Sequence, residues 1–236
     1  MSDSFDMSGA SHVPSRRPRQ ILECRDCGTI DYRTGLALQE DLHARRLAEE
    51  IGDTALFLQH SHVITLGRRG ESGDILASED ELKEKGIEVF QSSRGGQVTY
   101  HGPGQLVVYF IFNLYEAQRE LRLFVETLEQ SVIAYLGAAW GLQASIDPQH
   151  PGVWVGERKV AALGISVKNR VTMHGMALNV NTDLGMFRNI VPCGITDRGV
   201  TSLAELAGHP VDFVKVRNDL ADSLARAYGF SRIRWS

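Results

Sequence analysis

Leu106-Val107-Val108-Tyr109-Phe110-Ile111-Phe112 is the longest apolar run in the chain. A run without the polar alternation of a half-exposed strand predicts a β-strand that is buried on both faces. Downstream of it, apolar residues recur three or four positions apart over residues 119–136, which predicts a helix with one apolar stripe. Upstream of it, the glycines and the proline of residues 92–104 argue against regular structure. We therefore predict a buried strand between an irregular loop and a helix.

The rest of the chain alternates short β-like runs with helical patterns, and tight turns join several of the runs. The strands are predicted at residues 21–24, 55–58, 63–66, 87–90, 152–155, 159–167 and 171–180. The other helices are predicted at 34–51, 79–85 and 211–228, with Gly52 and Gly229 as the left-handed residues that end the first and the last. This order indicates a single-domain α/β fold with a mixed, largely antiparallel sheet and flanking helices.

Composition excludes several classes of protein. Lysine and arginine number 25 against 29 aspartates and glutamates, a net charge of −4, which argues against a protein devoted to binding nucleic acid. No run approaches the ~20 apolar residues of a membrane helix. Residues 1–20 are rich in Ser, Pro and Arg and are predicted to form a disordered tail, which leaves 21–236 as the domain. Three cysteines and no secretory signal predict a reduced, cytoplasmic protein.

The stretch Arg94–Gln105 combines backbone freedom with polar side chains. Its glycines let the main chain approach a ligand and present N–H groups to it. Arg94, Thr99, His101 and Gln105 add hydrogen-bonding groups. The stretch lacks the Gly-Lys-Ser/Thr end of a Walker loop and does not open a helix as a dinucleotide-binding motif does. By itself it predicts a cradle for a small molecule or an acyl group.

Two residues further along are candidates for nucleophilic chemistry. Cys193 lies between Pro192 and Gly194, in a predicted turn that can expose a thiol. A reactive thiol needs a nearby cation or helix N-terminus, and Lys159, at the head of an apolar strand, could exchange a proton with it. The sequence alone favours a buried, inert cysteine and a solvated lysine.

A zinc site is a further alternative. Cys24 and Cys27 have the CxxC spacing, and His60 and His62, which would share a strand face, could complete four ligands. No second CxxC pair supports this interpretation.

Taken together, the motifs resemble those of the lipoyl(octanoyl) transferases. The similarity covers about residues 21–228. Its signature is Arg94–Gln105, and further matching segments follow it in the same order as in the family. The other matching segments are Gly152-Val153-Trp154, Lys159–Ile165, His174–Val180 and Pro192-Cys193-Gly194. The resemblance implies a fold similar to the biotin/lipoate protein ligase catalytic domain. It also implies an acyltransferase that moves an octanoyl group from octanoyl-acyl carrier protein to a lysine of a lipoyl domain.

The resemblance also implies roles for individual residues. Cys193 matches the nucleophile that carries the acyl thioester, and Lys159 matches the lysine that lowers the pKa of that thiol. The implied substrate-binding residues are Arg94, Gly95, Gly96, Gln97, Val98, Thr99, Tyr100, His101, Ala162, Leu163, Gly164, Gly175, Met176 and Ala177. No cofactor, no metal and a monomer are expected. The expected acceptors are the lipoyl domains of 2-oxoacid dehydrogenase complexes and the glycine cleavage H protein.

Several finer expectations stay open at this point. Leu163, Met176 and Leu178 are candidate walls of an acyl tunnel, and Arg68, Arg69 and Arg158 are candidates for a basic entrance that meets acidic partners. The alternatives are an ATP-dependent lipoate–protein ligase, in which Cys193 is incidental, and a non-catalytic, zinc-holding module that binds lipoyl domains.

Overall fold

The computed structural model describes residues 19–114, 120–191 and 198–236. Cys193 and its neighbours Pro192 and Gly194 therefore lie outside the described residues. So do residues 1–18 of the predicted tail, whose disorder stays a prediction. The first strand begins at Arg19, two residues before the expected start of the domain.

Twelve strands and five α-helices lie in the described residues. The strands are β1 (Arg19–Ile30), β2 (Thr54–His60), β3 (Val63–Leu66), β4 (Glu88–Gln91), β5 (Val98–His101), β6 (Gln105–Ile111), β7 (Ala144–Ile146), β8 (Val153–Val155), β9 (Arg158–Lys168), β10 (Val171–Asn179), β11 (Gly199–Val200) and β12 (Phe230–Trp235). The helices are α1 (Tyr32–Leu47), α2 (Glu79–Glu84), α3 (Leu121–Trp140), α4 (Leu203–Ala207) and α5 (Phe213–Tyr228). Two short 3-10 helices span Ser72–Asp74 and Leu184–Asn189.

Among the described residues, nine strands form one large sheet. Its order is β12-β1-β2-β6-β10-β9-β8-β7, and β11 pairs with the start of β9. β1 runs parallel to both β12 and β2, whereas each neighbouring pair from β2 through to β7 is antiparallel. The apolar run quoted above lies in β6, between β2 and β10, so the prediction of a strand buried on both faces is confirmed. The predicted α/β fold with a mixed, largely antiparallel sheet is confirmed as well.

A second, three-stranded sheet has the order β4-β3-β5. Its strand β5 corrects the expectation that residues 92–104 have no regular structure. Thr99 pairs with Thr65 of β3, and the four residues of β5 are all buried. Glycines flank this β-branched and aromatic segment without interrupting it, and for that reason a strand forms inside the glycine-rich stretch.

The main core lies between the large sheet and the helix pair α3 and α5. Phe110 of β6 and Phe112, just after the strand, meet Phe124 of α3 and Tyr228 of α5, with ring centroids 5.4–6.2 Å apart. Helix α5 ends where predicted, with Gly229 left-handed at φ 79°. The expectation for α1 was wrong, because the helix ends at Leu47.

The reason for the early end of α1 is an ion pair. Arg46 is buried and its Nε donates to Asp53 Oδ1 at 3.0 Å, which ties the last turn to the start of β2. Glu49, at φ 60°, takes the left-handed conformation that had been assigned to Gly52. The pairing of β12 beside β1 was also not predicted, since it joins the two ends of the domain.

Candidate active site

A narrow cavity lies where the small sheet meets the large one. Strand β5 and the segment before it form one wall, and β9 and β10 form the opposite wall. Tyr32 at the start of α1 and Val107 and Tyr109 of β6 complete the lining. The lining residues are Tyr32, Arg94, Gly96, Gln97, Val98, Thr99, His101, Val107, Tyr109, Pro151, Ala162, Leu163, Gly164, His174, Gly175, Met176 and Ala177.

Two glycines allow close approach at the cavity: Gly164 lets the segment before β5 lie on β9, and Gly175 lets β10 lie close to β6. Gly164 of β9 and Gly175 of β10 are paired across the sheet. A Cβ atom at Gly164 would lie 3.0 Å from the carbonyl oxygen of Gly95, and one at Gly175 would lie 1.9 Å from that of Val108. Because no side chain intervenes, the N–H of Gly95 reaches the carbonyl of Ile165 at 3.1 Å. The glycine-rich segment is thereby held directly on β9.

Arg94 supports this segment from the other side. Its Nε donates to Thr65 Oγ1 at 3.0 Å and its Nη2 donates to the carbonyl oxygen of Thr65 at 2.5 Å. Its Nη1 donates to the carbonyl oxygen of Gly95 at 3.0 Å. Arg94 is buried, so these hydrogen bonds to a cation are strong. The side chain fixes the segment to β3 and puts positive charge beside the cavity.

Histidine and tyrosine side chains give the cavity a polar, hydrogen-bonded region. The Nδ1–H of His60 donates to the carbonyl oxygen of Ile30 at 2.9 Å, so Nε2 accepts from the hydroxyl of Tyr109 at 2.7 Å. Burial lowers the pKa of His60 below its usual value. Burial, and then the proximity of His60 and Arg94, lowers the pKa of His101 to about 3. Both imidazoles are therefore neutral near pH 7.

His174 is held in a strained conformation at the cavity wall. Its φ of 60° is in the left-handed region, which is unfavourable for a residue with a Cβ atom. Its N–H donates to Gln39 Oε1 at 2.7 Å, and its Nε2 lies 3.1 Å from Ser93 Oγ. Burial, and then the nearby Arg94, lowers its pKa to about 4. The surrounding contacts, not local preference, decide its position.

Lys159 lies beside this cavity, at the second residue of β9. It is buried, with an exposed fraction of 7%. Its Nζ donates to the carbonyl oxygen of Pro151, a cavity-lining residue, at 3.0 Å and lies 4.9 Å from the ring centroid of Trp154. Gly152 makes room for it, since a Cβ atom there would lie 3.1 Å from the Cδ and Cε atoms of Lys159. The lysine is thus enclosed and is not the solvated hairpin residue that the sequence allowed.

Most of the residues predicted to bind substrate are brought together here. Twelve of them line the cavity, and Gly95 lines a groove that shares Gly96, Gln97, Pro151 and other residues with it. Tyr100 does not line it: its ring packs on Phe187 and its hydroxyl lies 2.7 Å from His62 Nδ1. Tyr100 follows Thr99 on a strand, where neighbouring side chains point to opposite faces. The assignments themselves stay predictions.

Of the candidate tunnel walls, likewise, some line the cavity and one does not. Leu163 and Met176 line the cavity. Leu178 is fully buried in the main core and is not among the lining residues. Among the basic residues, Arg69 is exposed at the adjoining groove, whereas Arg158 pairs with Glu205 at 2.8 Å.

Sequence reasoning missed Tyr32, Tyr109, Pro151 and His174 as lining residues. Tyr109 is part of the apolar run, and its position there predicts a core residue. Its hydroxyl, however, indicates a polar partner, because a buried tyrosine hydroxyl usually has one. Tyr32 and Pro151 come from segments with no motif of their own. His174 begins a motif that the sequence analysis quoted, and its histidine was the available signal.

The described residues do not assemble the zinc site of the alternative interpretation. Cys24 is fully buried in the main core, whereas Cys27 packs beside the smaller cluster around Leu56 and Tyr109. His60 and His62 do not share a face either, since β2 ends at His60. No group of three or more His, Cys, Asp or Glu side chains is placed to hold a metal in the described part of the chain.

Comparison with known proteins identifies the family. The family described as "Lipoyl protein ligase A/B catalytic domain" matches residues 31–225. The chain belongs to this family. A relative from Caldicellulosiruptor saccharolyticus, named octanoyltransferase, is 48% identical over 201 residues, which cover 85% of this chain and 86% of the relative.

Solved structures show the fold of the family at low sequence identity. A lipoate-protein ligase A bound with ATP has a TM-score of 0.70 at 17% identity, covering 92% of this chain and 88% of that one. A biotin protein ligase from Aquifex aeolicus, in complex with biotin and ATP, has a TM-score of 0.54 at 18% identity, covering 89% and 70%. The predicted similarity to the biotin/lipoate ligase catalytic domain is confirmed. None of the described helices is long and apolar enough to cross a membrane.

Proposed function

We propose that this protein transfers an octanoyl group from octanoyl-acyl carrier protein to a lysine of a lipoyl domain, through a thioester on Cys193. One observation carries the proposal: a buried lysine, Lys159, lies beside the narrow cavity, and its Nζ donates to the carbonyl oxygen of the cavity-lining Pro151. Similarity to relatives named octanoyltransferase supports the acyl group and the class of reaction. The acceptors would be lipoyl domains of 2-oxoacid dehydrogenase complexes and the glycine cleavage H protein.

The first half-reaction is an exchange between two thioesters. The sulfur of Cys193 attacks the octanoyl carbonyl, the bond to the pantetheine sulfur breaks, and Lys159 passes the thiol proton of Cys193 to the departing sulfur. Backbone N–H groups near Gly164 are candidates to stabilise the oxyanion that forms. Because the donor is already a thioester, this step needs no ATP.

The second half-reaction transfers the acyl group to nitrogen. The amine of the acceptor lysine attacks the Cys193 thioester, an amide forms, and the thiol of Cys193 is released. Lys159 accepts the proton that the attacking amine loses and passes it to the departing sulfur of Cys193. An amide is more stable than a thioester, so this step drives the overall reaction forward.

The cavity provides recognition of the acyl chain. Burial of the seven carbons beyond the carbonyl, at about 0.8 kcal/mol each, contributes at most about 5–6 kcal/mol. Leu163, Ala177 and Met176 offer apolar walls. A cavity of fixed depth then selects chain length by steric clash at its closed end.

The first described residues after Cys193 lie close to Lys159. Cys193 is five residues before Arg198, so their Cα atoms are at most about 18 Å apart. Arg198 lies 5.3 Å from the ring of Trp154, the ring that Lys159 also contacts, and its Nη1 donates to Asp147 at 2.6 Å. The next residue, Gly199, pairs with Arg158 beside Lys159. These contacts support a Cys193–Lys159 pair.

The test is the intact mass of the protein after incubation with octanoyl-acyl carrier protein in the absence of ATP. We expect one octanoyl adduct on the wild type, labile to hydroxylamine, that passes to an apo lipoyl domain. Cys193→Ser should give no adduct, whereas the control Cys27→Ser should react like the wild type. Lys159→Ala should slow adduct formation by about 10²–10⁴-fold, the usual contribution of general acid–base catalysis.

The competing function is that of an ATP-dependent lipoate–protein ligase, favoured by the structural similarity to a ligase bound with ATP. It predicts no adduct from the acyl carrier protein. Modification of the lipoyl domain would then appear only with ATP and free octanoic or lipoic acid, and Cys193→Ser would be as active as the wild type. That result would overturn the proposal.

A further inference from the structure

A chain of buried hydrogen bonds runs from the cavity to the strand that carries Lys159. The Nδ1–H of His101 donates to Gln105 Oε1 at 2.7 Å, and Gln105 Nε2 donates to Asn179 Oδ1 at 2.9 Å. Asn179 Nδ2 donates to the carbonyl oxygen of Thr201 at 3.0 Å. The N–H of Thr201 donates to the carbonyl oxygen of Lys159 at 2.9 Å. All five residues are at most 7% exposed.

The donor-to-acceptor order of these hydrogen bonds is set by carbonyl groups, which can only accept. Gln105 Nε2 also donates to the carbonyl oxygen of Tyr100 at 3.3 Å, so the amide oxygen of Gln105 faces His101. At the far end, the carbonyl of Thr201 can only accept, so Asn179 presents its amide nitrogen there and its oxygen to Gln105. Each amide therefore has one orientation that satisfies all its partners.

The series of hydrogen bonds crosses the sheet at a junction between strands. Gln105 of β6 and Asn179 of β10 are directly opposite each other. Strand β10 pairs with β9 only as far as Leu178 opposite Ala161, and beyond that point β11 takes its place, with Val200 opposite Lys159. Asn179 is the residue at the break. Its amide joins the end of β10 to the segment 199–201 that replaces it.

We infer that Gln105 and Asn179 are positioning residues for Lys159. Neither lines the cavity. They act by holding the segment 199–201 against the start of β9, which fixes Lys159 relative to the wall at His101. Without Asn179 the buried carbonyl of Thr201 loses this partner, and the segment shifts to find another. Displacement of a reacting group by about 1 Å can cost on the order of 10²-fold in rate. This inference rests on the proposed function.

The experiment compares Asn179→Ala with a matched control, Asn181→Ala. Asn181 lies two residues further along and also bonds to main chain through both amide atoms, to the N–H and the carbonyl of Val211, each at 2.9 Å. It holds the entry to α5, since both of these side-chain hydrogen bonds go to Val211 and not to the segment 199–201. A second variant, Gln105→Glu, still accepts from His101 but cannot donate to Asn179, so it breaks the chain at another point.

We expect Asn179→Ala and Gln105→Glu to lower kcat by about 10–100-fold, with KM for octanoyl-acyl carrier protein within twofold of the wild type. Asn181→Ala should keep kcat within twofold of the wild type, even if its melting temperature falls as much as that of Asn179→Ala. A second readout is the pH dependence of alkylation of Cys193 by iodoacetamide. It should move to higher pH in Asn179→Ala and Gln105→Glu and not in Asn181→Ala, because a displaced lysine no longer favours the thiolate.

The outcomes separate this inference from the proposed function. If the wild type forms no octanoyl adduct, the proposed function fails. If the wild type forms the adduct and Asn179→Ala, Gln105→Glu and Asn181→Ala lose activity only in proportion to their stability, the positioning role is wrong. An unchanged alkylation profile in the two variants that break the chain would overturn it as well.

Discussion

The two faces of β6 have different surroundings. On one face, Phe110 is fully buried and its ring lies 5.9 Å from Phe124 and 6.2 Å from Tyr228. On the other face, the next residue back, Tyr109, lines the cavity and its hydroxyl donates to His60. One face of the strand thus packs against an aromatic cluster, and the other face lines a polar cavity. The comparison shows that alternate residues of β6 serve core packing and cavity lining.

The largest expected effect is on the aromatic face. Phe110→Ala should lower the free energy of unfolding by about 3–5 kcal/mol, because it leaves a cavity among rings that cannot collapse into it. Tyr109→Phe, on the other face, keeps the ring and removes one hydrogen bond to His60, so it should cost only about 1–3 kcal/mol. Denaturant unfolding of both variants measures the difference. If Tyr109→Phe were the more costly, the division between the faces would be wrong.

The next expected effect, from the histidines of the cavity face, is acid sensitivity. The pKa of His101 is lowered to about 3 and that of His174 to about 4, while unfolded histidine titrates near about 6.5. The unfolded chain therefore binds more protons between these values, so stability is complete above about pH 6.5 and is lost as the pH falls toward about 4. His174 alone should account for about 2–3 kcal/mol of this loss.

The measurement is the free energy of unfolding from pH 7 to pH 4.5. His174→Asn should flatten its pH dependence, since asparagine tolerates the left-handed backbone at this position and does not titrate. His209→Asn, at an exposed position, should follow the wild type. An equally steep curve in His174→Asn would mean that the acid sensitivity lies elsewhere in the molecule.

The smallest expected effect is at the entrance to the cavity. Arg69 is exposed at the adjoining groove, whereas Arg158 is engaged by Glu205. Arg69→Gln should therefore raise KM for the acidic donor by about two- to fivefold at low salt, and the increase should shrink as salt screens the charge. Arg158→Gln should change KM less. Equal, salt-independent effects of the two substitutions would contradict a basic entrance at Arg69.

Local sequence pattern predicted the elements better than their arrangement. The run in β6, the stripe of α3 and the left-handed Gly229 all depend on residues close together in the chain, and all are present. The early end of α1 depends on the ion pair between Arg46 and Asp53, which propensity does not include. The strand β12 pairs with β1 from the opposite end of the domain, a contact that no local pattern encodes.

The residues of the site also fall into those that local sequence pattern predicted and those that it missed. The motif residues that line the cavity were recognisable because glycines and polar side chains are costly beside a buried strand without a ligand. Tyr32, Tyr109 and Pro151 were missed because each reaches the cavity from a distant segment. Tyr100 belongs to the motif and faces away, because alternation along a strand assigns faces only once the strand itself is known.

The sequence by itself determined the fold class, the family and most of the cavity-lining residues, since residue types at close spacing encode conformational preference and close approach of the backbone. Only the tertiary structure decided which strands are neighbours, which face each side chain takes and that Lys159 is enclosed. The physical reason is that these properties depend on pairing between distant segments. The hydrogen-bonded chain from His101 to Thr201 is the sharpest case, because it joins three segments, the Arg94–Gln105 stretch, β10 and residues 199–201, that no sequence pattern connects.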